Sequence, residues 1–519
     1  MYLTQGLHRS LQQMPTEVAL IDDGRPISFA ELVDRVARLA AGLTQLGAVQ
    51  GDRVGILAPN SARYVEYALA CPWGGFVFAP VNSQWSLQEM AYQIVDADIA
   101  VLLLDDDTVS QAVQLQQMCP GLTTLVHCGG HPTPPKMIGY EDLIAQASAM
   151  EDVRLTGDAL AGILYTGGTT GQPKGVMVSP AQLLVSTFGF MATSGMPNER
   201  ERFLHVAPLY HLAALGACYQ QAQLGSTHFV LGQFTVEGLA ATIAKDRITA
   251  VTLVPTMIQR LFDYAEATGA DLSSLQHLGY GASPISEPVL RKALQTLPDL
   301  QMCQLYGMTE LGPVATVLRP EDHRDQDHPE RLRSAGRAAL HAEIRVVDAT
   351  DATVDTGTVG EVIVRGANIM LGYWNKPAET ALALRGGWMH TGDLGYLDED
   401  GYLYVVDRLK DMIVTGGENV YSAEVEKVLA THPSISSCAV IGVPDEQWGE
   451  RVHAVVVATP GTDLDAAAIR EYCAQQLARY KAPRTVDIVT ELPLSPVGKI
   501  LKRTLREQYR TLDSTRTQA

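Results

Sequence analysis

The chain lacks most of the features that would settle its class at once. It has no Cys-x-x-Cys pair, and its seven cysteines (71, 119, 128, 218, 303, 438 and 473) are scattered and odd in number. Buried or idle thiols in a reducing compartment therefore outweigh a disulfide framework or a zinc site. Residues 1–17 contain no apolar core of the signal-peptide type. The longest apolar patch, residues 67–81, is broken by Pro72, Gly74, Gly75 and Pro80, so no integral membrane segment is expected. The cytoplasm is the expected location. Basic charge is scarce: 39 Lys and Arg face 58 Asp and Glu, a formal net charge of −19. That balance argues against nucleic acid or an anionic membrane as partner, and makes any basic site local. Internal repeats and low-complexity linkers are absent.

What is present is a long, mixed chain. Its 519 residues exceed one ordinary core, so at least two domains are expected. In residues 28–47, Leu32, Val33, Val36, Leu39, Leu43 and Leu46 form a helical stripe, and Ser28 with Glu31 offers a capping box. "DRVGILAP", "AVLLLDDD", "AGILYT", "RFLHVAP" and "AVTLVP" read as short buried strands between helices, which implies an α/β fold with parallel sheets. After about residue 335, "EIRVVDATDATVDTGTVGEVIVRG" alternates apolar and polar residues between turns, an antiparallel β signature. Beyond "DRLKD" (407–411) the order strand, helix, strand, strand, helix, strand describes a compact α+β unit. The expected domains are 1–409, large, and 410–519, small.

The stretch "LYTGGTTGQPKG" (164–175) follows a strand and precedes the helix-like "PAQLLVSTFGF", a context suited to holding phosphate by backbone N–H groups. It fits neither GxxxxGK[ST], because Gly175 follows Lys174, nor GxGxxG. By itself it reads equally as a flexible turn. Four further stretches follow in order: "YGMTE" (306–310), "HTGDLG" (390–395), "DRLKDMIVTGGENVYSAEVE" (407–426) and "PLSPVGKILKR" (493–503). Together with the loop they resemble the adenylate-forming superfamily, which includes acyl-CoA synthetases, adenylation domains of peptide synthetases and beetle luciferases. The resemblance covers nearly the whole chain. It implies a large α/β domain, with parallel sheets and a distorted antiparallel β-barrel, and a small mobile α+β domain. It also implies ATP, Mg²⁺ and coenzyme A.

The resemblance assigns roles residue by residue. Thr166, Gly167, Gly168, Thr169, Thr170, Gly171 and Lys174 match the phosphate loop; Gly167 stands where a serine is common, losing a hydroxyl donor and gaining backbone freedom. Tyr306 would stack on adenine beside Gly307 and Met308, and Thr309 would contact the α-phosphate. Glu310, with Thr166, would hold Mg²⁺. Gly281 and Ala282, in "LGYGASP", would line the adenine and acyl sites; the preceding Tyr280 either narrows a pocket or points into the core. Asp393 and Arg408 would hold the ribose and α-phosphate, although a turn cap and a surface ion pair of Arg408 with Asp407 or Asp411 are the competing readings. His211 would lie near the reacting carboxylate; the alternative is a core histidine, and the other twelve histidines show no metal spacing. Lys499 would neutralise charge in the adenylating pose. Gly416 and Gly417 would line the pantetheine arm of CoA, and Lys410 would be the hinge. Residues 479–506 carry seven bases (Arg479, Lys481, Arg484, Lys499, Lys502, Arg503, Arg506) against Asp487 and Glu491, which suits a phosphate-rich ligand or a solvated helix.

The substrate carboxylate is itself the nucleophile in adenylate formation, so the lack of a catalytic triad fits. No carrier domain follows Lys499, and no aspartate stands out as an anchor for a substrate amine. The expected reaction joins a medium- or long-chain fatty acid to CoA. An aryl acid, of the coumarate or benzoate kind, and a separate carrier protein as acceptor are the alternatives. A nucleotide-binding regulatory protein without catalysis conflicts with the presence of Glu310, Asp393, Arg408 and Lys499. A homodimer is the candidate assembly. Lys499→Ala should lower adenylate formation by roughly 10²–10³ while sparing thioester formation from synthetic acyl-adenylate and CoA. Lys410→Pro should do the reverse, because a fixed φ hinders rotation at the hinge. Equal loss of both steps in folded Lys499→Ala would contradict the assignment.

Overall fold

The computed structural model describes residues 1–166, 173–196, 198–283, 285–415, 418–445, 447–494 and 500–516. The chain divides into two compact units. The first comprises Met1–Ile344, Ile363–His390 and Gly401–Leu403; the second comprises Arg345–Val362, Thr391–Asp400 and Tyr404–Ala519.

The first unit is α/β with two large sheets, as the alternating pattern predicts. In one, the strands Arg202–His205, Thr227–Val230, Ala250–Leu253, His277–Gly281 and Gln301–Tyr306 run parallel. In the other, Arg53–Leu57, Val77–Pro80, Ile99–Leu104, Thr124–His127 and Gly162–Thr166 do so. Their runs of Val, Leu and Ile are almost wholly buried, as strands covered on both faces require. The helix read over 28–47 is Phe29–Gln45, and Ser28 Oγ accepts from the Glu31 amide at 3.2 Å. The Glu31 carboxylate pairs with Arg25 at 2.5 Å.

The helix read in "PAQLLVSTFGF" is Pro180–Ser194, begun by a capping box of Ser179 and Gln182. Between the Gly/Thr loop and that helix stands a strand the sequence reading did not name, Lys174–Val178, antiparallel to Gly162–Thr166 with Thr166 opposite Lys174. The reason lies in "KGVMV": two valines separated by one residue satisfy the strand period, and the Ser-Pro start signal comes after them. Residues 167–172 themselves fall outside the described residues.

The second unit holds the strands Ile413–Thr415, Glu418–Val420, Ile435–Asp445, Gly449–Ala458 and Thr485–Val489 in one sheet. The helices Ser422–Leu429, Ala466–Gln476 and Lys502–Arg516 accompany it. The β-rich stretch after residue 335 supplies four strands, Ala342–Val347, Gly360–Gly366, Met389–Leu397 and Leu403–Arg408, joined in that order as a four-stranded sheet. All seven cysteines are free thiols, six of them buried. Among the described residues no helix is long and apolar enough to cross a membrane.

A polar network lies within the first unit's core. The Glu66 carboxylate, 1% exposed, accepts from Arg35 Nε at 2.5 Å and from the Tyr140 hydroxyl at 2.5 Å. Arg35 also reaches Glu141 at 2.9 Å, so the helices Phe29–Gln45, Ala62–Gly74 and Tyr140–Gln146 share one cluster of charge. Removing Glu66 leaves the buried Tyr140 hydroxyl without its acceptor and Arg35 with Glu141 alone. Glu66→Ala should therefore cost about 3–5 kcal/mol of stability, and Tyr140→Phe about 1–2 kcal/mol, both read from urea unfolding. A loss below ~1 kcal/mol for Glu66→Ala would mean the cluster behaves like a surface pair.

Candidate active site

In the first unit, the candidate residues gather where parallel strands end. Strand His277–Gly281 lies beside Gln301–Tyr306, with Gly281 opposite Leu305. Ligands of open α/β sheets are held outside such carboxyl ends. The approach is tight enough to demand glycine twice: a Cβ at Gly281 would sit 2.4 Å from the Leu305 carbonyl oxygen, and one at Gly307 would sit 2.0 Å from that of Pro313. Ala282 adopts φ +67°, the left-handed region, immediately after the strand. Tyr306, Met308 and Thr309 are half-buried and Gly307 is exposed, so this corner is open to a ligand.

Tyr280 does not reach that opening. Its side chain is fully buried and its hydroxyl meets His323 Nε2 at 2.8 Å, which settles the two readings of this residue in favour of the core. Burial raises the Tyr280 phenol well above its ordinary range and pushes His323 down to about 4.

Glu310 follows in a short 3₁₀ turn, Thr309–Leu311, and is 5% exposed. A buried carboxylate needs a donor. Tyr373 supplies one, its hydroxyl donating to Glu310 Oε1 at 2.9 Å. The Met370 amide donates to the Glu310 carbonyl at 2.9 Å. Asn368 Nδ2 donates to the carbonyls of Leu311 at 2.8 Å and Val314 at 3.1 Å. Lys174 Nζ stands 5.0 Å from the centre of the Tyr373 ring. Lys174, Tyr373 and Glu310 thus form one connected group. Asn368 and Tyr373 escaped the sequence reading. The signal that could have found them is "ANIMLGYWNKP", an apolar stretch carrying an Asn and a Gly-Tyr that its neighbours do not require. Carboxylate and hydroxyl oxygens, as Glu310 and Thr166 offer, are the hard donors that suit Mg²⁺.

His211 is the N-cap residue of helix Leu212–Leu224. Its ring lies 4.6 Å from that of Tyr210. Burial pushes its pKa down to about 4, so at neutral pH it is an uncharged imidazole. Along the helix, Ala213 is exposed and Gly216 and Ala217 are half-buried, a stripe of small side chains beginning next to His211. The structure also assembles His205, Cys218 and His228, which chain spacing did not reveal. All three are buried, and the two imidazoles satisfy one another at 2.9 Å.

In the second unit, Asp393 and Arg408 come together. Arg408 Nε lies 2.5 Å from Asp393 Oδ1, and the Leu409 amide donates to the Gly392 carbonyl at 2.8 Å. The ion pair expected as the bland reading of Arg408 is therefore made with Asp393, not with Asp407 or Asp411. Asp407 instead accepts from the Ser422 hydroxyl at 2.7 Å and from the Arg408 amide at 2.7 Å. Lys410 is exposed in a turn closed by the amides of Asp411 and Met412 on the Arg408 carbonyl.

The basic stretch 479–506 is largely committed. Lys481 pairs with Glu424 at 2.7 Å, Lys502 with Glu426 at 2.8 Å, Arg503 with Glu507 at 2.7 Å and Arg506 with Asp411 at 2.6 Å. Arg484 lies over the Trp448 ring at 4.2 Å. The excess of bases is thus a property of the linear count, because most of the partner acids come from earlier in the chain. Gly167, Gly168, Thr169, Thr170, Gly171, Gly416, Gly417 and Lys499 lie outside the described residues.

The family model for "AMP-binding enzyme" matches residues 7–374, and that for "AMP-binding enzyme C-terminal domain" matches residues 424–499. A feruloyl-CoA synthase of Amycolatopsis sp. is 36% identical over 96% of this chain and 98% of its own. A medium/long-chain-fatty-acid–CoA ligase of Mycobacterium tuberculosis is 35% identical over 98% of this chain and 90% of its own. The solved structure of o-succinylbenzoate CoA synthetase from Bacillus subtilis with its acyl-adenylate intermediate superposes with a TM-score of 0.85. It is 30% identical and covers 96% of this chain and 97% of its own.

The burial of His211 has a measurable consequence. An unfolded histidine binds its proton near pH 6.5, so the neutral, half-buried ring contributes stability above that pH that is lost as pH falls toward about 4. His211 should titrate near 4 by NMR, and kcat/KM should show no inflection from this group between roughly pH 6 and 9. An inflection near 6.5 that disappears in His211→Asn would contradict a neutral ring.

Proposed function

The chain belongs to the AMP-binding enzyme family, and on that premise we propose that it is an AMP-forming acid–CoA ligase whose acid is apolar, a fatty acid of medium or long chain. Adenylate formation joins a carboxylate oxygen of the acid to the α-phosphorus of ATP, and pyrophosphate leaves. In thioester formation the sulfur of CoA attacks the acyl carbon, its proton is given up, and AMP leaves.

The observation that carries the apolar substrate is the surroundings of His211. An uncharged imidazole can hydrogen-bond a carboxylate without forming a competing ion pair. The stripe Ala213, Gly216 and Ala217 beside it offers small apolar surface and no charge to receive an amino or second carboxyl group. Tyr280, turned into the core, leaves the space by Gly281 and Ala282 to the ligand.

In this reading Thr166, Lys174, Thr309 and the loop 167–171 meet the phosphates, and Tyr306 stacks on adenine beside Gly281, Gly307 and Met308. Asp393 takes the ribose hydroxyls, and Arg408, oriented by Asp393, serves the same region. Glu310 and Thr166 hold Mg²⁺, which neutralises phosphate charge when bound. Lys499 acts in the first step and Gly416 and Gly417 in the second, with Lys410 as the hinge at a boundary of 409 and 410.

An aryl acid is the second reading, supported by the 36% identity to a feruloyl-CoA synthase. Pyrophosphate release over fatty, aryl, amino and dicarboxylic acids, with and without CoA, separates the two. Each added methylene should raise kcat/KM about fourfold up to the pocket's limit, since its burial is worth ~0.8 kcal/mol. Amino acids should fall at least roughly tenfold below the best fatty acid, because an unpaired buried charge is costly. An aryl acid outperforming every fatty acid would transfer the assignment to the second reading. A preferred amino acid would exclude both.

A further inference from the structure

We propose that Tyr373 is a positioning residue for the phosphate end of the nucleotide site, setting the Glu310 carboxylate at a defined place relative to Lys174. The inference rests on the reading of Glu310 as the carboxylate that holds Mg²⁺.

The backbone around Tyr373 is bonded on three sides. The Met370 amide donates to the Glu310 carbonyl at 2.9 Å. The Leu371 amide donates to Met177 at 3.0 Å and the Trp374 amide to Gly175 at 2.7 Å. Gly372 and Tyr373 thereby pair antiparallel with Met177 and Val176, on the strand that leaves the Gly/Thr loop. The Tyr373 amide donates to Thr380 Oγ1 at 2.9 Å. Residues 370–374 therefore act as a bracket between the exit of the loop and the turn that carries Glu310.

The side chain completes that bracket. Its hydroxyl donates to Glu310 Oε1 at 2.9 Å, and its ring faces Lys174 Nζ at 5.0 Å. A tyrosine side chain has only two torsions, so on a fixed backbone its tip is confined to a few positions, and the Glu310 and Lys174 contacts occupy one of them. Tyr67 and Tyr219 of the same unit spend their hydroxyls on the backbone carbonyls of Val54 at 2.7 Å and Ala68 at 2.9 Å, whereas Tyr140 and Tyr373 spend theirs on acids, Glu66 and Glu310. A hydroxyl held on one carboxylate oxygen restricts the rotation of that carboxylate. The same ring accepts Lys174 on its face without neutralising it. One side chain thus spaces a metal-binding anion from a phosphate-binding cation.

The test measures binding of a non-hydrolysable ATP analogue by calorimetry across a Mg²⁺ titration, in wild type and in Tyr373→Phe, Tyr373→His and Glu310→Gln, with thermal melts as the check on folding. Tyr373→Phe should raise the Mg²⁺ concentration for half-maximal binding by about tenfold, the loss expected for one hydrogen bond to a charged group. Tyr373→His, which keeps a ring N–H, should restore part of that affinity. Tyr373→Phe combined with Glu310→Gln should shift the midpoint no further than Glu310→Gln alone. A shift in Glu310→Gln without one in Tyr373→Phe would overturn the positioning role and leave the Glu310 reading standing. No shift in Glu310→Gln would overturn that reading and this proposal with it. If Tyr373→Phe does not fold, Thr380→Ala, which removes the acceptor of the Tyr373 amide and a donor to the Lys376 carbonyl, should shift the midpoint in the same direction, and an unchanged midpoint there would overturn the role.

Discussion

A carboxylate taken out of water must be given donors, and in the first unit the donors given to Glu310 arrange everything around it. Its side chain is bonded by Tyr373 and its backbone by Met370, while Asn368 fastens the peptides that follow. All three come from one short stretch, residues 368–373. The next residue of that stretch, Trp374, is bonded to Gly175 at the exit of the Gly/Thr loop. Strands from two different sheets, Gly162–Thr166 and Gln301–Tyr306, are in this way referred to a common reference. Neither sheet could place its residues against the other's through its own ladder, because among the described residues no ladder hydrogen bond joins them.

Most of the architecture was legible because it rests on local pattern. The helical stripe from Leu32 to Leu43 and the buried strands recur in the structure, and beyond residue 411 the elements read recur in order, with the strand Glu418–Val420 and the helix Lys502–Arg516 added to them. The motif 306–310 was legible as chemistry, since Tyr, Thr and Glu there exceed what a turn needs. Three things were hidden for physical reasons. The strand Lys174–Val178 is defined by its partner across the ladder, which chain order does not announce. The paired state of Lys481, Lys502 and Arg506 depends on acids at 424, 426 and 411, brought near only by folding. Tyr373 looks like any aromatic in an apolar stretch until its hydroxyl is seen to end on an acid.

Charge is used sparingly throughout. In a chain with net charge −19, bases such as Arg35, Lys481, Lys502 and Arg506 are bound to internal acids. Lys174 rests on an uncharged ring, which leaves its full charge for an anionic ligand. Lys174 begins a strand, so no helix terminus at that residue supplements its charge. The phosphate end of such a site leans on a few side chains placed with care, and placement is what the bracket 370–374 provides.

The last helix, Lys502–Arg516, carries a different consequence. Its Arg506 holds Asp411, in the turn beside Lys410, and its Lys502 holds Ser422 and Glu426 behind it. A chain emerging from the ribosome exposes that turn long before residues 502 and 506 are made. During synthesis the first unit has most of its core residues available early, while Asp411 in the turn waits for the helix whose Arg506 pairs with it. The fastening of that turn therefore waits for a helix made 95 residues later.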